Sequence, residues 1–147
     1  MMSDSNGFTL LELLVVLILI GLLSGMVFVS ISGGILRSQE RRFVLSFQHA
    51  LVRARAAALA RGKLVRFLID SNKRAYSIDG KGWEEIPETI QVEGEGVAEI
   101  SEGVYGVIFY PDGSTSGGEI DLKWQKGQID RITVDRLLGI IKIKHLA

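Results

Sequence analysis

The sequence predicts an α+β fold in which one long N-terminal helix precedes a small, mostly antiparallel β domain. Two observations support this prediction. An almost uncharged apolar run at residues 8–31 is followed by apolar residues at helical spacing as far as Gly62. After Gly62, apolar residues alternate with polar ones in short runs separated by turn residues. We therefore divide the chain into a leader at 1–7, an apolar helical run at 8–31, an amphipathic helix at 32–62 and a globular β domain at 63–147.

The apolar run, FTLLELLVVLILIGLLSGMVFVSI, contains a single charged residue, Glu12. As a helix rising about 1.5 Å per residue, it would be about 36 Å long and could cross a hydrocarbon core of about 30 Å. A buried core helix is the alternative, but a run that is apolar on every face suits lipid better. We therefore predict that residues 8–31 span a membrane.

One apolar stripe follows a flexible point that we expect at Ser32, Gly33 and Gly34. Its members are spaced as on one helix face: Leu36, Phe43, Val44, Phe47, Leu51, Ala54 and Ala58. We expect one long helix, or two collinear helices, over residues 8–61, with Gly62 as the C-cap. Because a β domain of about 85 residues is small for an independent core, we expect it to pack against this stripe.

Seven segments of the β domain are predicted to be strands: 63–70, 75–79, 89–93, 103–110, 119–124, 128–134 and 137–144. Between them, Pro111-Asp112-Gly113 is predicted to form a turn, and Gly117-Gly118 to lead into the next strand. The charges are also divided along the chain, being mostly basic over 37–66 and mostly acidic over 79–121. The formal net charge is zero, and the absence of cysteine excludes disulfides and thiolate metal sites.

Glu12 is the unusual residue of the apolar run. An ionised carboxylate in an apolar environment costs free energy on the order of a few kcal/mol unless it is paired. The uncut chain offers Glu12 only the positive end of the helix dipole. A cut before Phe8 would create an α-amine about one helical turn away, on this chain or on a neighbour, and that amine would neutralise Glu12.

The segment GFTLLELLVVLILIGLL resembles the N-terminal signature of type IV prepilins and type II secretion pseudopilins. The resemblance implies that a prepilin peptidase cuts between Gly7 and Phe8 and N-methylates Phe8. It also implies that Glu12, the fifth residue of the mature chain, acts in assembly within the membrane.

The C-terminal half resembles the H class of minor pseudopilins of type II secretion, in a domain family that includes FimT-like minor type IV pilins. The resemblance rests on FYPDGSTSGGEIDL, residues 109–122, and on the following IDRITVDRLLGIIKI. It implies a pilin-like fold with a β-sandwich-like domain. It also implies a structural subunit, rather than an enzyme, of the pseudopilus that helps to export folded proteins across the outer membrane. The alternative is a FimT-like pilin for pilus initiation, adhesion or DNA uptake.

The resemblance further implies a single pass of the inner membrane, with a cytoplasmic N-terminus and a periplasmic C-terminal domain. The leader has no Lys or Arg, and the basic residues follow the apolar run instead. Taken alone, the positive-inside rule would therefore place the C-terminal side in the cytoplasm. We follow the family, because its peptidase acts at the cytoplasmic face. The implied partners are other major and minor pseudopilins, the prepilin peptidase, inner-membrane lipid and exported cargo.

Several other patterns resemble parts of phosphate-binding, catalytic or metal sites. GSTSGG, residues 113–118, lacks the Lys and the following helix of a phosphate loop. We interpret Glu84, Glu85 and Glu88 as solvated surface, and we assign no metal or acid–base role to His49 or His145. We predict no catalytic residues and no cofactor.

Two packing or binding hypotheses remain open. Gly21 and Gly25 form a GxxxG pattern that would allow close helix contact, although small residues are common in membrane helices. A basic face could hold DNA phosphates, although a solvated face paired with the acidic segment is the simpler interpretation. Its residues are Arg41, Arg42, Arg53, Arg55, Arg61, Lys63 and Arg66, with Lys142, Lys144 and His145 as possible additions.

Overall fold

A computed structural model of the chain describes residues 9–125 and 127–146, and the side chains of these residues except 25–38. One helix, α1, runs from Leu10 to Arg61. Nine strands follow it in the described part: β1 Val65–Asp70, β2 Ala75–Ile78, β3 Lys81–Glu85, β4 Ile90–Glu95, β5 Ala98–Ser101, β6 Val104–Phe109, β7 Gly118–Trp124, β8 Ile129–Val134 and β9 Ile141–Leu146. The chain divides into two units, Met1–Arg42 and Phe43–Ala147, and the boundary lies within α1.

In the first unit, the large apolar side chains from Leu10 to Leu23 are all exposed, from 42% for Val16 to 83% for Leu10. The predicted span at 8–31 lies partly outside the described residues, since Phe8 and the side chains from residue 25 onward are not described. Among the residues that the structure does describe, no helix is long and apolar enough to cross a membrane.

In the second unit, the strands form two antiparallel sheets. The first has the order β3-β2-β1-β6-β5 and the second the order β4-β7-β8-β9. The register pairs Phe67 with Val107 in the first sheet and Ile120 with Ile132 in the second. Alternate residues of each central strand therefore point toward the same interior, as the period-two pattern requires.

The apolar stripe of α1 is part of this interior. Phe47, Leu51, Ala54 and Ala58 are each 0% exposed. They belong to one buried cluster that also contains side chains of both sheets, including Phe67, Phe109, Ile120, Leu122 and Ile132. The prediction that the stripe supplies the core of the β domain is confirmed, except at Leu36, whose side chain is outside the described residues.

Aromatic rings fill the contact between the helix and the first sheet. The ring of Phe47 packs edge-on against Phe67, with 5.1 Å between centroids, and against Tyr76, with 4.9 Å. Phe43 lies 5.8 Å from Phe47 on the same helix face. Edge-to-face pairs of this kind add about 0.5–1.5 kcal/mol to the energy of burial.

The predicted turns are confirmed. Gly62 ends α1 with a φ of +59°, a left-handed conformation that glycine adopts without a steric penalty. In the turn at Pro111–Gly113, the N–H of Gly113 donates to the carbonyl of Tyr110 at 3.1 Å. The Asp112 carboxylate accepts hydrogen bonds from the hydroxyl and the N–H of Ser114, which lower the pKa of Asp112.

Three details of the strand prediction are wrong. Strands β3 and β5 were missed, because β3 is exposed at every position and β5 has only four residues. The segment 137–144 was predicted to be one strand, but residues 136–138 form a turn and β9 begins at Ile141. Gly139 has a φ of +61°, which is incompatible with a continuous strand.

We predict that Phe47→Ala lowers the free energy of unfolding of the β domain by about 3–5 kcal/mol, because it leaves a cavity between the helix and the first sheet. Leu45→Ala is the matched control, since Leu45 lies on the same helix and is 45% exposed. Its expected effect is about 0.5 kcal/mol or less. Denaturant unfolding of the purified chain measures both, and equal losses would contradict the central position of Phe47.

Candidate assembly surfaces

The N-terminal end of α1 is closed by Thr9. The hydroxyl of Thr9 accepts a hydrogen bond from the N–H of Glu12 at 3.2 Å, and the Thr9 carbonyl accepts one from the N–H of Leu13. Thr9 is therefore the N-cap, and Thr-Leu-Leu-Glu has the spacing of a capping box. The sequence prediction missed this role, although the Thr-x-x-Glu pattern indicates it.

Glu12 is exposed in the first turn of α1, where the unpaired N–H groups favour a negative charge. Gly7 and Phe8, the predicted cleavage and methylation residues, lie outside the described residues. A Cβ atom added at Gly21 would meet no atom within 4 Å, and the Gly25 position is outside the described side chains. The roles predicted for these residues stay predictions.

Two arginines of the predicted basic face of α1 are used within the β domain. Arg53 forms an exposed ion pair with Glu84 at 3.4 Å. Glu84 also accepts a hydrogen bond from the hydroxyl of Tyr76, and burial together with this bond raises the pKa of Tyr76 to about 12. Arg55 donates to the carbonyl of Leu138 at 2.9 Å.

The segment Asp135–Ile140, which we name the leucine turn, connects β8 to β9. The Asp135 carboxylate accepts hydrogen bonds from the N–H groups of Leu137 and Leu138 at 2.9 and 2.7 Å. Together with the Arg55 bond, these contacts fix the backbone of the turn. The two leucine side chains are left exposed, Leu137 at 83% and Leu138 at 61%.

The leucine turn is also fixed to the turn that follows β6. The hydroxyl of Thr115 donates to the carbonyl of Asp135 at 2.9 Å. A Cβ atom at Gly139 would lie 2.5 Å from the carbonyl oxygen of Gly113, so only glycine fits there. The Thr115 hydroxyl also accepts from the N–H of Gly117 at 2.9 Å. The polar groups of GSTSGG thus hold two turns together, which supports our rejection of a phosphate loop.

The outer face of the second sheet carries charges in rows across its strands. One row contains Glu93, Asp121, Arg131 and Lys144, and the next contains Glu95, Glu119, Thr133 and Lys142. In these two rows the acids lie on β4 and β7 and the bases on β8 and β9. Lys123 of β7 lies on the same face and contacts Glu93.

Arg131 lies at the middle of this face. Its guanidinium contacts Asp121 at 2.7 Å and Glu119 at 3.1 Å. The hydrogen bond from Arg131 lowers the pKa of Asp121. A lowered pKa in the folded state stabilises the fold above the unfolded pKa, and this stabilisation is lost as the pH falls through the folded pKa.

The remaining candidate residues are either exposed or take part in contacts within the fold. Glu85 and Glu88 are exposed, and His49 is exposed on α1. His145 contacts the Asp130 carboxylate, which also accepts a hydrogen bond from the indole N–H of Trp124 at 3.1 Å. Over residues 9–125 and 127–146, no three His, Asp or Glu side chains are placed to share a metal ion.

The chain matches the model of the prokaryotic N-terminal methylation motif over residues 2–28. It is 33% identical over 123 residues to the type II secretion system protein H of Xanthomonas campestris pv. campestris, with 80% of this chain and 70% of that protein covered. The chain belongs to the protein H family of type II secretion pseudopilins. This result confirms the predicted family, and it favours a secretion subunit over the FimT-like alternative and over an enzyme.

The fold of this protein H family member is similar to a solved structure. The minor pseudopilin EpsH from the type 2 secretion system of Vibrio cholerae matches with a TM-score of 0.51 and 15% sequence identity. The match covers 73% of this chain and 95% of that chain. At this identity the similarity concerns the fold alone, and it confirms the predicted pilin-like arrangement of a helix and antiparallel sheets.

We predict that Arg55→Ala lowers the free energy of unfolding by about 1.5–3 kcal/mol, because a charged donor to the Leu138 carbonyl is lost. Arg53→Ala removes the same charge from the same helix but only breaks an exposed ion pair. Its expected effect is below about 1 kcal/mol. Denaturant unfolding compares the two variants. A larger loss for Arg53→Ala would contradict the assignment of Arg55 as the residue that holds the leucine turn.

Proposed function

We propose that the chain is a minor pseudopilin that is stored in the bacterial inner membrane and assembled into a periplasmic pseudopilus. Residues 1–7 are the leader, residues 8–31 the single membrane span, residues 32–62 the amphipathic continuation of the helix and residues 63–147 the periplasmic domain. The observation that carries the proposal is the N-terminal methylation motif on a chain of the protein H family.

In this proposal, the prepilin peptidase cuts between Gly7 and Phe8 and methylates the new amine of Phe8. Two physical features support the cut at this position. Thr9 caps α1, so the helix can begin at Leu10 without the leader. The new amine would lie just before the cap, within reach of a carboxylate in the first turn.

Glu12 is the residue that we propose for assembly. The apolar side chains from Leu10 to Leu23 are exposed in the first unit. When the subunit lies in lipid or in a filament core, these side chains face other apolar groups, and Glu12 then lies in an apolar environment. Breaking a charge pair in such surroundings costs on the order of 3–5 kcal/mol. Pairing of Glu12 with a Phe8 amine, from the same chain or a neighbour, would favour the assembled position.

The open position at Gly21 suits a neighbouring helix that approaches closely, and we propose Gly21 and Gly25 as a packing site. The partners of the chain are then the other pseudopilins, the peptidase, inner-membrane lipid and, through the β domain, exported cargo. DNA is not among the proposed partners, because the similarity to protein H supports a secretion subunit. Arg53 and Arg55 of the basic face are also engaged within the β domain.

The proposal predicts that Glu12→Ala lowers incorporation into pseudopili at least about tenfold, because the amine loses its partner. The free energy of unfolding of the β domain should not change, since Glu12 is outside the buried cluster. Glu40→Ala is the matched control, because it removes an acid from the same helix outside the apolar run. Incorporation is measured in sheared or overproduced filaments, and normal incorporation of Glu12→Ala would refute the proposed role.

A further inference from the structure

We propose that the outer edge of β9 binds an extended, acidic strand of a different pseudopilin subunit, which adds to the second sheet as a fifth strand. This inference deepens the proposed function and depends on it. The leucine turn lies at the start of this edge and would contribute an apolar anchor for the added strand. The proposal rests on a backbone edge and two lysines that have no partner among the described residues, and on exposed leucines that the fold holds in place.

The four edges of the two sheets differ in how they are protected. In the first sheet, β3 has five residues and β5 has four, and each pairs with its neighbour in an irregular register. In the second sheet, β4 is closed by side chains. The carbonyl of Ile90 accepts from Arg74 at 2.9 Å, and that of Val92 accepts from the hydroxyl of Tyr105 at 2.9 Å. Such devices are the usual protection of edge strands against added strands.

Within the described residues, the edge of β9 is not short, irregular or closed by side-chain hydrogen bonds, and its lysines disfavour an added strand of like charge rather than an acidic one. Strand β9 has six residues in regular register with β8. The N–H of Asp135 donates to the carbonyl of Ile140 at 3.0 Å, and hydrogen-bonded pairs alternate along an antiparallel ladder. The backbone groups of Lys142 and Lys144 therefore point toward β8, whereas those of Ile141, Ile143 and His145 point outward. Within the described residues, no hydrogen bond to these outward groups is formed.

The charges on β9 indicate the charge of the strand that would bind there. Lys142 and Lys144 are exposed on the outer face, and among the described side chains neither has a carboxylate within 4.0 Å. A strand with carboxylates at alternate positions would place them opposite or diagonal to these lysines, where cross-strand pairs interact favourably. A second copy of the chain does not fit, because two β9 strands would bring lysines together and the β4 edge is closed.

The leucine turn makes the edge a preorganised site. Leu137 and Leu138 are exposed, although Asp135, Arg55 and Thr115 hold the backbone that carries them. An apolar side chain that is already fixed loses little conformational entropy on binding, which favours affinity. The partner would therefore place an apolar residue beside the turn and its acidic residues along β9.

The test uses cells with an active secretion system and a benzophenone amino acid at Leu137 of the full chain. After illumination, we expect cross-links to another pseudopilin, at a peptide with alternating acidic residues. Lys142→Glu with Lys144→Glu should lower the yield about tenfold, and Lys63→Glu with Lys81→Glu, the control of equal charge, should not. In the Lys142→Glu, Lys144→Glu variant, replacing the cross-linked acidic residues of the partner by lysine should restore the cross-link yield.

Two variants of His145 test whether the added strand forms backbone hydrogen bonds with β9. His145→Pro removes an outward N–H, whereas His145→Ala removes the same side chain and keeps that N–H. Only His145→Pro should lower the cross-link yield, provided that both variants unfold at the same denaturant concentration. Equal yields from the two variants would show that no strand is added to β9.

A second probe at Val15 separates this inference from the proposed function. Cross-links from Val15 to other pseudopilins without any from Leu137 would overturn the β9 proposal and leave the proposed function intact. Cross-links from Leu137 to a second copy of the chain, or to a peptide without acidic residues, would also overturn it. Absence of subunit cross-links from both positions would refute the proposed function and the β9 proposal together.

Discussion

The burial of one face of α1 in a cluster shared with both sheets is the interaction on which the β domain depends. Phe47, Leu51, Ala54 and Ala58 are fully buried in a cluster to which both sheets contribute. Neither sheet has a second helix to cover it in the described part of the chain. A sheet of four or five strands needs such a cover on its apolar face, so the helix and the sheets form one cooperative core.

The same helix also contributes to the two surfaces that we propose for assembly. Near its N-terminus it presents apolar side chains that surround one acid, Glu12. Near its C-terminus, Arg55 reaches the leucine turn and holds it beside β9. The first surface suits an apolar environment with one specific charge pair. The second suits the edge of a folded neighbour. A subunit of a membrane-assembled filament requires both kinds of contact.

The sequence predicted those parts of the fold in which a local pattern coincides with a long-range contact. The apolar stripe of α1 and the alternating strands β1, β6, β7 and β8 are such cases, because burial on one face leaves a regular period in the sequence. Strand β3 has no such period, because every residue in it is exposed. Strand β5 alternates, but over only four residues, which is too short a run to indicate a strand by itself. Leu137-Leu138-Gly139 has the apolar character of a strand, but the Asp135 carboxylate and the close approach of Gly139 to Gly113 make it a turn.

The candidate surfaces were predicted less completely than the core. Glu12 could be identified because a charge in an apolar run needs an explanation, and Thr9 could have been identified from the capping-box spacing. The bond from Arg55 to Leu138 joins residues 83 positions apart, so no local pattern indicates it. The open edge of β9 is likewise a property of sheet order. It emerges only when β9 is placed last in its sheet and the β4 edge is seen to be closed by Arg74 and Tyr105.

Above all, we propose that the chain is processed before Phe8 and works as a membrane-anchored pseudopilin. The most direct test is the mass of the protein extracted from membranes of cells that contain the prepilin peptidase, together with the mass of its N-terminal peptide. We expect a mature chain that lacks residues 1–7 and begins with N-methylated Phe8. A chain that retains Met1 or Met2 in those membranes would contradict it.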